Sequence, residues 1–215
     1  CSTVTQQAIQ GRQAMIKLQG RLPREICVAV SGGADSMVAL EFLRKSHDVT
    51  VMHFNHGTPH SRQAEQFVAE HCLENSIKCF NGTIENAAVP AGVSREEYWR
   101  TERYRFFESQ SHGRPVVTAH HLDDCVETWV WSSLHGYGRI VPYRNGNVIR
   151  PFRLNRKRDI ELWAASQNIP FIQDDSNGDL RYTRNYIRHQ MMPHVLNVNP
   201  GIYKTIKKKV LKDVQ

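Results

Sequence analysis

The sequence predicts an α/β fold: a parallel, doubly wound sheet with a short, basic, helical extension at its C-terminal end. Two observations carry this. Short β-branched runs alternate with helix-period segments from residue 26 to residue 135, the order that builds βαβ units. The first run, residues 26–30, is continuous and apolar rather than alternating, as a strand covered on both faces is.

The elements follow in order. Residues 5–19 have a helical period. After the strand at 26–30, a helix at 36–45 turns Val38, Leu40 and Phe42 or Leu43 inward. "VTVMHF" gives a strand at 49–54, residues 61–75 a helix and 77–80 a short strand, closed by a loop at Asn81-Gly82 and Pro90. A long helix spans 94–110, a strand 115–119 and a helix 122–135. Beyond Arg139 the pattern loosens into extended "NVIRPF", a helix at 155–168, a polar, turn-rich stretch and a helix near 185–192. The last helix, "KTIKKKVLKDVQ", turns Ile206, Val210 and Leu211 inward. The organisation expected is one catalytic domain over 1–195 and a basic helix over 196–215.

The chain's 215 residues allow a large core. No apolar run approaches a membrane span and no signal-peptide pattern opens the chain. The first residue is Cys1 rather than Met, which points to residues upstream. Five scattered cysteines without a CxxC pair fit reduced thiols in a cytoplasmic protein. The net charge of +7 is uneven: residues 1–138 carry −2 and residues 139–215 carry +9. A basic end on a near-neutral body suits a polyanion partner, although a solvated amphipathic helix would look the same.

"SGGADS", residues 31–36, joins the first strand to a helix. Glycines let backbone amides approach an anion, and a helix N-terminus favours one. The spacing is not that of a Walker loop, and its lysine is absent. Asp35 beside a phosphate calls for a cation between them, so it reads as a Mg²⁺ ligand. The plain alternative is a tight turn with a capping Asp.

The loops after the second and fourth strands fall on the same sheet edge, where such folds bind ligands. In "AHHLDDCVET", Asp124 and Glu127 share a helix face, with His120 at the helix start. That trio can orient an amine, move a proton or hold Mg²⁺; helix-start acids, Asp123 as a cap and a structural His121 are the bland alternative. In "HFNHG", His53 and His56 are three apart with His60 nearby, but no Cys or carboxylate completes a zinc set, and Asn55 and Gly57 suit the shaping of a nucleotide pocket. Glu96, Arg100 and Arg103 follow helical spacing, either as surface ion pairs or with an arginine aimed at phosphate. "DDSNGDLRYTRNYIR" brings Arg181, Arg184 and Arg188, suited to RNA backbone or to internal pairing.

Taken together, "SGGADS", "HFNHG", "EEYWRTERY", "TAHHLDDCVET" and "DDSNGDLRYTRNYIR…MMPHVL" resemble the tRNA(Ile)-lysidine synthases, N-type ATP pyrophosphatases with the PP-loop fold, over about residues 24–200. The first motif is shared by many adenylating enzymes; the last two in combination are far more specific. The resemblance implies a Rossmann-like PP-loop domain that adenylates the wobble cytidine of a CAU-anticodon tRNA with ATP and Mg²⁺, then attaches free L-lysine. It implies that Ser31, Gly32, Gly33, Ala34 and Ser36 hold the phosphates, Asp35 the Mg²⁺, and His53 and Asn55 the nucleotide. It assigns His120, Asp124 and Glu127 to lysine and the activated base, Arg100 to phosphate or the transition state, and Arg181, Arg184, Asn185 and Arg188 to the RNA. The departures are "NHGTP" for the usual "NHGLR" and "SSLHG" for a segment ending "LLRG". The form expected is short, without the family's further C-terminal domains, and a homo-oligomer is left open. A tRNA thiolase, another PP-loop amidotransferase and a non-catalytic RNA-binding relative are the alternative readings.

Overall fold

The computed structural model describes residues 15–84, 88–173, 178, 180 and 183–213. Six strands form one sheet in the order β3-β2-β1-β4-β6-β5. They are β1 (Glu25–Ala29), β2 (Asp48–Asn55), β3 (Lys78–Thr83), β4 (Val116–Val117), β5 (Arg144–Asn145) and β6 (Val148–Ile149). All neighbours pair in parallel except β5 with β6. The helices are α1 (Ala34–Leu43), α2 (Pro59–Glu74), α3 (Arg95–Ser111), α4 (Leu122–Leu134), α5 (Lys157–Ser166), α6 (Thr183–Tyr186), α7 (Met192–Val198) and α8 (Ile202–Lys212).

The pleat explains the two covered faces. Ile26, Val28, Val51, Val117 and Ile149 pack in one cluster with α1, α2 and α5, while Cys27, Met52, Val116 and Val148 pack with Phe107 of α3 on the other side. Both faces are apolar, which is why β1 reads as a continuous run. The strand order reverses between β1 and β4, so the loops leaving these neighbours diverge and open a crevice.

Several expected elements are corrected. Residues 15–19 form no helix, and the rest of the helix expected there lies outside the described residues. Asn81-Gly82 belongs to β3 rather than to a loop. A Cβ on Gly82 would stand 2.5 Å from the Phe106 ring, so this glycine admits α3 against the sheet. Leu211 is 52 % exposed, while Ile202, Ile206 and Val210 bury the inner face of α8 against Leu122, Cys125, Val126 and Val130 of α4. The helix expected near residue 185 continues as a π turn at Ile187–Met191. Pro193, without an N–H for the ladder, follows it.

Candidate active site

The loop after β1 is built for an anion. Gly32 has φ +88°, a left-handed conformation that other residues adopt at a cost, and a Cβ there would crowd Ile172 at 3.2 Å. Ser36 Oγ donates to the Gly33 carbonyl at 2.9 Å and accepts from the Ser31 amide at 3.1 Å. These bonds fix the turn and leave the exposed Ser31 hydroxyl at its rim. Gly33 caps α1 without a side chain, so no side chain takes the first amides of that helix.

Asp35 does not cap its own helix. Lys157 Nζ, at the start of α5, donates to its two carboxylate oxygens at 2.7 and 2.8 Å, and His121 Nε2 lies 3.8 Å away. No group of three His, Cys, Asp or Glu among the described residues forms a metal cage. A single carboxylate beside a phosphate-binding loop nevertheless fits Mg²⁺, which takes one or two carboxylates and completes its shell with phosphate and water. Asp35 would hold it, with Lys157 released from the carboxylate.

Beside the loop, His53 is 2 % exposed; its Nδ1 meets the Val30 carbonyl at 2.8 Å, and its Nε2 finds no atom of the described residues in hydrogen-bond geometry. Burial holds this imidazole below its ordinary range. Asn55 Oδ1 accepts from the Gly57 amide and Ser61 Oγ, and its Nδ2 donates to Glu65. Asn55 therefore shapes the β2–α2 turn with all of its polar side-chain atoms engaged. His56 stacks on Trp99 with ring centroids 5.1 Å apart, and burial, with help from Arg103, pushes it down to about 4.

The start of α4 gathers the acids. His121 is the N-cap, with Nδ1 3.4 Å from the Asp124 amide, and Asp124 returns a carboxylate oxygen to the His121 amide at 2.9 Å. Asp123, a candidate cap, instead ties three helices together. It accepts from the Lys157 amide at 2.8 Å, from Arg156 Nε and from Tyr203 Oη at 2.9 Å, and Arg156 lies over the Tyr203 ring.

Asp124 and Glu127 share a face, as the spacing predicts, and two arginines cover it. Arg188 grips Glu127 with two bonds of 2.8 and 3.0 Å and reaches Asp124 at 3.3 Å. Arg184 donates to the same Asp124 oxygen. Burial raises the Asp124 carboxyl, but His121, Arg184 and His120 outweigh it and hold it well below the usual carboxylate range. Asp124 correspondingly raises the Arg184 guanidinium. Asp35, Asp123, Asp124 and Glu127 are thus matched by Lys157, Arg156, Arg184 and Arg188.

His120 lies within electrostatic reach of Asp124. Its Nδ1 meets Thr118 Oγ1 at 2.9 Å, burial pushes it down to about 3, and it lines a cavity with Arg100 and Arg184. Arg100 lies over the Tyr104 ring at 5.0 Å. Asn185 stands on α6 with Arg184; Arg181 lies outside the described residues. Lys157, Arg156 and Tyr203 are residues at this edge that the motifs miss, and the sequence marks Asp123 only as a cap. The basic run "NRKRD" was visible, but nothing in it distinguishes Lys157 from its neighbours.

A family model described as a PP-loop domain matches residues 5–195. The tRNA(Ile)-lysidine synthase of Thermosipho africanus is 34% identical over 193 residues, 81% of this chain and 44% of that protein. Those of Thermotoga maritima and Vibrio cholerae are 31% and 30% identical over 82% and 86% of this chain, and 46% and 45% of their own lengths. The chain spans about half the length of these curated relatives.

Proposed function

The chain belongs to the PP-loop domain family, and on that premise we propose that it is an ATP-dependent RNA-modifying ligase that adenylates the wobble cytidine of a CAU-anticodon tRNA and joins lysine to it. Membership supports an ATP-using enzyme, and the relatives' names support tRNA modification. One observation carries the finer reading: the phosphate-type loop and the Asp124–Glu127 face meet across His121, which lies 3.8 Å from Asp35 and 3.7 Å from Asp124.

In the first step the cytidine carbonyl oxygen attacks the α-phosphorus of ATP and pyrophosphate leaves. The residue 31–36 loop and the amides of α1 receive the phosphates; Mg²⁺, when bound, supplies charge neutralisation, and Lys157 adds a fixed cation where negative charge grows. In the second step the lysine amine adds to ring carbon 2 and AMP leaves with the former carbonyl oxygen. Asp124 and Glu127 take the amino acid's ammonium in exchange for arginine. His120, uncharged near neutral pH, hydrogen-bonds near the amine without repelling that cation. Arg184, Arg188 and Asn185 turn to the RNA.

The test is incorporation of labelled lysine into a CAU-anticodon tRNA transcript with ATP and Mg²⁺, scored with AMP release. ATP-dependent label in the RNA is the expected result. AMP release without lysine in the RNA overturns the lysine assignment and keeps the adenylation. Neither product, with the protein folded, overturns the ligase.

A further inference from the structure

The cavity that His120 shares with Arg100 and Arg184 has a volume of about 370 Å³, the small end of the range for ligand sites. Its lining includes Arg139 and Arg150 as well, and no Asp or Glu. Among the described residues Arg100, Arg139 and Arg150 pair with no carboxylate. Arg150 is only 1 % exposed; it donates to the Pro142 carbonyl and to Tyr104 Oη, and its Nε has no hydrogen-bond partner among the described residues. A buried guanidinium with an unmet donor asks for an acceptor, and a cluster of cations asks for an anion.

The rim adds flat surfaces. Trp131 is 42 % exposed and Tyr137 65 % exposed, high values for large rings. Both are steadied from below: His135 packs on Trp131 at 4.6 Å, and Arg139 lies over Tyr137 at 4.9 Å. Trp131 stands on α4, and the turn that carries Tyr137 is locked to that helix, since Ser132 Oγ donates to the Arg139 carbonyl at 2.9 Å and accepts from its amide at 2.8 Å. Rigid exposed rings beside unpaired arginines form the combination that holds single-stranded nucleic acid, by stacking and phosphate contact.

We propose that this cavity seats one unpaired nucleotide of an RNA loop, its base on Trp131 and Tyr137 and its phosphate on Arg100, Arg139 and Arg150. The proposal rests on the reading of the chain as an RNA-modifying enzyme and names an RNA contact beyond Arg184, Arg188 and Asn185. Single-stranded RNA fits better than a duplex, because paired bases offer no free face to the rings.

The test is fluorescence anisotropy of the whole chain with a fluorescein-labelled single-stranded RNA heptamer and with the same strand in a duplex. Trp131→Ala and Tyr137→Ala should each weaken heptamer binding by roughly tenfold, and Trp131→Phe should restore most of it. Arg139→Gln should lower the slope of log Kd against log salt by about one. Melting temperatures identify any variant that fails to fold, and Trp131→Phe then carries the test through a smaller loss. Heptamer affinity unchanged in folded Trp131→Ala and Tyr137→Ala, or equal affinity for duplex, overturns the seat. Trp131-dependent binding without AMP or lysine transfer leaves the seat standing and sinks the ligase. Ligase activity with an unchanged RNA KM in Trp131→Ala does the reverse.

Discussion

Lys157 Nζ holds both carboxylate oxygens of Asp35, at 2.7 and 2.8 Å, although 122 residues separate them. The residue 31–36 loop has no lysine of its own. The fold delivers one from α5, whose first turn is anchored at the same edge by the Lys157 amide bond to Asp123.

Lys157→Ala should therefore reduce RNA-dependent AMP formation by about 10- to 100-fold. Stability should change by less than about 1 kcal/mol, because both side chains of the pair are about one-third exposed and screened. Steady-state kinetics and urea unfolding on the same preparation check both statements. Full activity would remove Lys157 from the chemistry.

Asp124 sits in a network that only the anion satisfies. Asp124→Asn should cost roughly 1–3 kcal/mol at pH 7, below the usual cost of breaking a buried pair because Arg184 and Arg188 are partly exposed. The folded carboxyl titrates below its unfolded value, so its stabilisation is complete above about pH 4 and drains away as pH falls further. Urea midpoints of wild type and variant should converge below that pH.

Burial holds three imidazoles below their ordinary range. Burial pushes His120 to about 3 and His56 to about 4, and lowers His53 as well. The unfolded chain binds protons near pH 6.5 that the folded chain refuses, so stability falls as pH drops from about 6.5 toward 4. The slope should approach about 1.4 kcal/mol per pH unit for each histidine. His56→Gln should flatten it by up to one such step in a melting series.

Arg153 is fully buried and bonds Asp213 at 2.6 Å, the Val141 carbonyl at 2.6 Å and Gln19 Oε1 at 2.9 and 3.2 Å. It clamps the end of α8 to the body. Arg153→Ala should lose about 3–5 kcal/mol, since it leaves buried acceptors unmet. Asp213→Asn should lose less, because Asp213 is on the surface. Equal, small losses in urea would remove the clamp.

Lys204, Lys208 and Lys212 form an exposed stripe on α8, at intervals of one turn. If the stripe contacts RNA backbone, each Lys→Gln change lowers the salt slope of tRNA binding by about one and weakens all tRNAs alike. An unaltered slope would leave the stripe as a solvated face.

The sheet, the loop on its edge and the amphipathic helices were legible because each rests on local chemistry. Apolar runs mark strands, glycine and serine mark the loop, and i, i+3 spacing put Asp124 and Glu127 on one face. Gly82 misled for the same reason: it looks like a turn residue, and only the Phe106 ring packed over it explains its place in a strand. Spacing also put His120 beside Asp124 and Glu127, and it lies within electrostatic reach of Asp124; that its ring meets Thr118 and lines the arginine-rich cavity could not be read from the motif.

The sequence by itself determined the α/β class, the glycine- and serine-rich turn after β1, the paired carboxylates and the basic C-terminal third. These follow from short-range patterns and composition, which a chain carries wherever it folds. Only the tertiary structure decided which cation meets which carboxylate. The Lys157–Asp35, Arg156–Asp123, Arg184–Asp124 and Arg188–Glu127 pairs join residues 33 to 122 positions apart. A charge in sequence has many equivalent partners, and the packing of α4, α5, α6, the π turn and α8 at one sheet edge narrows them to the few that these helices bring within reach.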